Sequence, residues 1–160
     1  MANTVELTWA DSPPLWDAAR RLVEEYAASL GIDLGFQDFE HEIASLPEEY
    51  GPPAGWFVLA SETAGRFIGC GAVRRLSVTD CEMKRLYVAP AARGSGAGRA
   101  IADALIARAR QSGYRAMFLD TLPSMGAAQA LYRSLGFEPT VAYRFNPVPG
   151  ASFWRLELHR

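Results

Sequence analysis

The sequence predicts a mixed α/β domain of about seven strands and about four helices, with an antiparallel first half. Three observations carry that expectation. Short apolar or alternating runs, separated by turn residues, dominate residues 56–88. A glycine-rich junction, Arg93-Gly94-Ser95-Gly96-Ala97-Gly98-Arg99, joins a β-type run to a helical one. Two later helical segments each stop at a glycine, Gly113 and Gly136.

The elements follow in order. Val5-Glu6-Leu7-Thr8-Trp9 alternates apolar and polar residues, the pattern of a strand. Asp11 or Ser12 can cap a helix entered through Pro13-Pro14. Its Leu15, Ala18, Ala19, Leu22, Val23 and Tyr26 keep helical spacing up to Gly31. A second, short helix is predicted from Phe36 to Leu46, with Phe39, Ile43 and Leu46 on one face, and Pro47 to Gly55 reads as a loop. Strands are predicted at Trp56–Ser61 and Arg66–Leu76, joined by a turn at Ala64-Gly65. Gly69 and Gly71 weaken the second of these or mark a bulge in it. A turn at Val78 to Asp80 leads into a strand from Glu82 to Val88. Behind the glycine junction, Ile101, Ala102, Leu105, Ile106 and Ala109 form the buried stripe of a helix. Met117-Phe118-Leu119 is a short buried strand, and Pro123 opens a helix running to Leu135. Val141–Phe145 and Phe153–Leu158 are the last two strands, around a loop from Asn146 to Gly150.

At 160 residues, one domain over 1–160 is expected. A composition of 49% apolar and 21% charged residues is ordinary for a globular chain. The net charge of −2 gives no general reason to expect nucleic acid as a partner, although Arg74, Arg75, Lys84, Arg85, Arg93 and Arg99 cluster locally. No apolar run approaches the roughly 18 residues of a membrane span, and Met1 to Ala10 has no basic n-region. The expectation is a cytoplasmic protein with no membrane partner. Cys70 and Cys81 fall far apart along a hairpin ladder, with Cys81 near Ser77, so they read as buried thiols rather than a bridge. His41 and His159 make no ligand pattern, and no metal is expected.

Glycines between a strand and a helix let backbone N–H groups approach an anion without Cβ obstruction, and the helix adds the positive end of its dipole. The junction therefore reads as a phosphate cradle. A dinucleotide fingerprint would need a third glycine where Arg99 stands, and a P-loop would need Lys-Ser/Thr where Gly98 is followed by Arg99-Ala100. Neither spacing fits, which puts a nicotinamide cofactor last among the phosphate ligands.

The remaining pattern is Arg93-x-x-Gly96-x-Gly98 behind a strand ending at Val88 and a bend at Pro90. It resembles the pyrophosphate-binding motif of the GNAT superfamily of N-acetyltransferases, which bind acetyl-coenzyme A. Ala130-Leu131-Tyr132-Arg133-Ser134-Leu135-Gly136-Phe137 resembles the late helix-to-strand signature of that family, in the family's order and separation. The resemblance is strongest from Glu82 to Phe137 and weak before Trp56. It implies a GNAT-like mixed sheet with a parallel strand pair at the cofactor site, and acetyl-CoA as acyl donor. It further implies that the backbones of Arg93, Gly94, Ser95, Gly96, Ala97 and Gly98 hold the pyrophosphate, with Arg93 and Arg99 adding charge. Leu86, Tyr87 and Val88 would hydrogen-bond the pantetheine arm, the Val88 amide also polarising the thioester carbonyl. Relatives often pair through their last strands, which makes a homodimer the mild expectation. One departure is Met125, which stands where many relatives carry a pantetheine-contacting asparagine; Ser124 is its neighbour.

Acetyl transfer to an alkyl amine needs a base, because the amine is protonated at neutral pH, and an acid for the departing thiolate. Relatives imply Glu82 as the base; the alternative is a strand-edge carboxylate paired with Lys84 or Arg74. Asp120 is the second choice for acid or base, and several superfamily members relay the proton through water. Tyr132, in the Leu-Tyr pair ahead of Gly-Phe, is implied as the acid; the alternative is an aromatic packing between helix and sheet. Arg85, Lys84 and Arg74 suggest recognition of an acceptor carboxylate, hence a small amino-acid-like amine. A peptide or protein amine entering a groove lined by Glu48 and Glu49 competes with that reading. So does a CoA-binding sensor without turnover, which would need neither Glu82 nor Tyr132.

Overall fold

The computed structural model describes residues 4–31, 33–35, 38–62 and 65–159. Strand β1 (Glu6–Trp9) and helix α1 (Pro13–Leu30) are followed by two short helices, α2 (Phe39–Ala44) and α3 (Leu46–Tyr50). Strands β2 (Gly55–Ser61), β3 (Phe67–Arg75) and β4 (Asp80–Val88) form a meander. A 3₁₀ turn at Pro90–Ala92 then leads to α4 (Ala97–Gln111), β5 (Ala116–Thr121), α5 (Gly126–Leu135), β6 (Glu138–Thr140) and β7 (Ser152–Glu157). The seven strands make one mixed sheet in the order β1-β2-β3-β4-β5-β7-β6. Neighbours from β1 to β4 are antiparallel, and β4–β5 is the parallel pair. The expected fold class is the one observed.

Four expectations about elements are corrected. The single helix expected up to Leu46 is two helices; its expected start, Phe36, lies outside the described residues. Pro47 occupies the first turn of α3, where no amide is needed, so residues 47–50 are helical and not loop. Pro123 does not open α5. Leu122 to Met125 close a turn first, the Met125 amide donating to the Leu122 carbonyl at 3.0 Å, and the helix begins at Gly126. Val141–Phe145 is not a strand. After β6 the chain leaves the sheet, which lets Tyr143 and Arg144 reach Glu82 on β4.

The sheet separates two apolar layers. Ile101, Leu105, Met117, Leu119 and Trp154 belong to the layer that contains α4. Leu22, Val23, Leu46, Tyr50 and Phe57 belong to the layer that contains α1. Cys70 and Cys81 are free and buried, opposite Tyr87 and Arg75 respectively. Their thiols donate to the carbonyls of Arg85 at 3.4 Å and Ala116 at 3.7 Å. Burial pushes both thiols up, Cys81 to about 12, so neither is a ready nucleophile.

The bulge expected near Gly69 and Gly71 is present, but the extra residue sits on β4. Cys70 pairs with Tyr87 and Ala72 with Lys84, so Gly71 faces both Arg85 and Leu86. Gly71 has no room for a side chain: a Cβ there would lie 2.6 Å from the Ile101 Cγ2. Arg85 takes φ 60, a left-handed conformation that costs a non-glycine residue on the order of 1–3 kcal/mol. Its guanidinium is buried and forms a two-pronged pair with Glu42 of α2, Nε at 2.7 Å and a terminal nitrogen at 2.8 Å. The rings of Tyr26 and Phe39 flank it at 5.7 and 5.5 Å. Burial raises the Glu42 carboxyl, but the hydrogen bonds and charge of Arg85 outweigh it and hold Glu42 below the usual carboxylate range.

Glu42→Ala strands the Arg85 charge in the interior and should lower the unfolding free energy by about 3–5 kcal/mol in urea titration. The double change Glu42→Leu with Arg85→Met should recover most of that loss. Because Glu42 is depressed in the fold, its contribution is present above the ordinary carboxylate range and is lost as pH falls through the lowered value; the single variant should show less of this acid sensitivity.

Candidate active site

The parallel pairing of β4 and β5 lasts only from Asp80 to Glu82, opposite Ala116 to Phe118. Beyond Glu82 the two strands separate, so the edge of β4 from Met83 to Val88 has no strand beside it. The bulge at Arg85 increases this divergence, because an extra residue bends and twists its strand. Two cavities occupy the gap.

The larger, of about 600 Å³, is lined by Leu86, Tyr87 and Val88, by the loop from Pro90 to Gly98, and by Ser124, Met125, Ala127, Ala128 and Leu131 around the start of α5. Gly94 and Gly96 both take φ +87, where a side chain would be strained, and nothing lies within 4 Å of where a Cβ would project. The amides of Gly94, Gly96, Gly98 and Arg99 make no hydrogen bond among the described residues, whereas Arg93, Ser95 and Ala97 are bonded within the loop. These four N–H groups cluster at the N-terminus of the 15-residue helix α4, where amides and helix dipole favour an anion, and Gly94, Gly96 and Gly98 line the cleft. The Arg93 side chain folds back, its Nε donating to the Val88 carbonyl at 3.2 Å, and Arg99 donates to Ser134 at 3.1 Å.

The smaller cavity, of about 30 Å³, shares Tyr26, Leu30, Leu86 and Met125 with the cleft. Lys84, Asp120, Tyr132 and Asn146 line it. Tyr132 is brought there by α5 and braced by the Phe137 ring at 5.7 Å. Burial, with Tyr26 and Asp120 nearby, pushes its phenol well above the ordinary range, so it stays protonated at neutral pH. Its hydroxyl makes no hydrogen bond to a described residue. Asp120, at the open end of β5, accepts one bond, from Asn146 at 3.1 Å.

Glu82 is placed differently. It is fully buried, and three donors reach it: Arg74 Nε at 3.1 Å, Tyr143 Oη at 2.6 Å and an Arg144 terminal nitrogen at 2.7 Å. Of the two cavities it lines neither. Arg74 also holds Glu49 at 3.1 Å, so Arg74 and Arg85, both considered for an acceptor carboxylate, are engaged by carboxylates of the protein.

A family model described as the acetyltransferase (GNAT) family matches residues 16–137. An uncharacterized N-acetyltransferase of Schizosaccharomyces pombe is 36% identical over 159 residues, covering 99% of this chain and 98% of its own. The chain belongs to the GNAT acetyltransferase family. Solved structures agree in fold. A GNAT-family acetyltransferase from Staphylococcus aureus superposes with a TM-score of 0.79 at 17% identity, over 98% of this chain and 100% of that one. An acetyltransferase from Salmonella typhimurium, solved with its cofactor acetyl-CoA, gives 0.74 at 22% identity over 98% and 95% of the two chains. The chain is therefore an N-acetyltransferase by family.

Several residues at this GNAT site were not among the sequence candidates: Glu42, Tyr143, Arg144 and Asn146. Glu42 carried a readable signal, a carboxylate beside the apolar stripe of Phe39, Ile43 and Leu46. The other three did not, because Tyr-Arg-Phe-Asn fits an edge strand equally well. No group of three or more metal-binding side chains occurs among the described residues.

Gly96→Ala forces a side chain into the left-handed region, at about 1–2 kcal/mol, and tilts the free amides of the loop. Titration calorimetry with CoA should show at least about a tenfold loss of affinity, since each 1.4 kcal/mol is tenfold.

Proposed function

We propose that this chain moves the acetyl group of acetyl-CoA directly to the primary amine of a small, amino-acid-like molecule. The observation that supports the reading is the junction of two cavities at Leu86 and Met125, one with unpartnered loop amides, the other with a protonated phenol and a carboxylate. The pyrophosphate would rest on the amides of Gly94, Gly96, Gly98 and Arg99, with the pantetheine along the free edge of Leu86 to Val88. That path brings the thioester to Tyr132.

In this reading Tyr132 donates a proton to the departing sulfur. A phenol raised by burial is a certain donor at neutral pH, and the lack of a competing bond leaves its hydroxyl available. For the base, the contacts favour Asp120 over Glu82. Three donors, two of them guanidiniums, already occupy the Glu82 carboxylate, which lines neither cavity, whereas Asp120 lines the acceptor cavity with one bond. Glu82 then acts through Tyr143 and Arg144, fastening the segment after β6 beside the cavity.

The narrow cavity admits an amine and its first carbons, which favours a small acceptor over a peptide. Glu49, considered for a peptide groove, is paired with Arg74.

A thiol-release assay with acetyl-CoA over amino acids, their decarboxylated amines, polyamines, aminoglycosides and peptides tests this. Amino acids should turn over fastest; turnover of peptides alone removes the small-acceptor reading. Tyr132→Phe and Asp120→Asn should each lower kcat by about 10²-fold, with acetyl-CoA affinity unchanged in calorimetry. Unaltered rates in both variants overturn the two assignments.

A further inference from the structure

Sixteen residues of the chain are lysine or arginine, and Lys84 is the one lysine among them. Arginine keeps its proton in proteins, whereas a lysine amine can lose it and become a nucleophile. The chain thus has a single side-chain amine able to be acylated. That amine sits on β4, 5% exposed, in the lining of the acceptor cavity with Tyr132 and Asp120. Leu86, two positions along the same strand, lines both that cavity and the cleft.

We propose that Lys84 is an internal acetyl acceptor, modified by the acetyl-CoA bound in this protein's own cleft when no external amine fills the cavity. The inference rests on the functional reading above. The Lys84 Nζ lone pair attacks the thioester carbonyl, forming an N–C bond as the C–S bond breaks. The thiolate leaves as CoA after taking a proton from Tyr132, and the attacking nitrogen gives up a proton to Asp120 or water. The products are N-acetyl-Lys84 and free CoA, with no other reactant.

The surroundings of Lys84 remove the obstacle that an outside amine meets. Burial lowers its amine first, and the positive charges of Arg85, Arg144 and Arg74 lower it further against the opposing pull of Glu82, bringing it to about 7. Glu42 from α2 also acts on it across the layer, and Asp120, Tyr132 and Tyr26 face it from β5, α5 and α1. Near neutral pH much of the amine is already deprotonated, so attack needs no separate base. Once made, the amide is neutral and occupies a cavity of about 30 Å³, which excludes the acceptor. The modification would close the site in the absence of acceptor.

The test uses the full chain with acetyl-CoA and no added amine, followed by intact-mass and peptide mass spectrometry. One acetyl group per chain should appear, mapped to Lys84, with a rate that saturates in acetyl-CoA and falls with excess CoA. The rate should rise with pH through about 7 and level off above it. Lys84→Arg and Lys84→Met should both lack the adduct while still binding acetyl-CoA in calorimetry. The proposal is overturned by bound acetyl-CoA without adduct, by acetylation confined to the chain's N-terminal amine, or by an equal rate in urea-unfolded protein. Failure of the wild type to bind acetyl-CoA at all overturns the functional reading, and this proposal with it.

Discussion

The bulge at Arg85 is the constraint on which the site depends. The parallel ladder with β5 ends at Glu82, and the bulge follows directly on the same strand. There, two residues of β4 face Gly71, the strand turns, and its edge from Met83 to Val88 is left without a neighbour. Such an edge is a hazard for aggregation unless something covers it; here it forms one wall of a cleft. The left-handed backbone at Arg85 opposes this arrangement, and the buried pair with Glu42 holds it in place. Helix α2, remote from the glycine loop in sequence, thereby fixes the shape of the cleft that the loop serves.

Glu82 plays the corresponding part on the other side of the cavity. Its carboxylate gathers Arg74 from β3 and Tyr143 and Arg144 from the segment after β6. Arg74 extends the network to Glu49 on α3. A buried charge is tolerable only when its lone pairs are filled, and these partners fill them. Acid–base work asks the opposite of a carboxylate, namely an oxygen left free to take a proton. Glu82 thus has its oxygens taken up by three partners and lines neither cavity, while Asp120 at the open end of β5 lines one and accepts a single bond.

The sequence made some of this visible. Strand alternation, the helix stripes and the glycine stops placed every strand of the meander, both central helices and the fold class. Local pattern carries those features, because burial on one face imposes its period directly. The glycine loop was legible for a related reason: Gly94 and Gly96 answer a backbone demand that other residues meet at a cost. Tyr143 and Arg144 were misread as strand, since their positions are set by a partner some sixty residues away and not by neighbours. Arg85 shows the same limit. Nothing local distinguishes a guanidinium awaiting a substrate from one already bonded within the fold.

Desolvation ties the chemistry together. Removing water from a cavity penalises whichever form of a group is charged, so it raises a phenol and lowers an ammonium at once. Tyr132 and Lys84 line the same cavity and move in those opposite directions. Burial therefore keeps the phenol protonated and brings the amine down to about 7, where its neutral form becomes accessible near neutral pH. Arginine at position 84 would keep its charge under the same burial. Under the proposal that Lys84 takes the acetyl group, lysine is the cation whose charge burial can remove, which an arginine's is not.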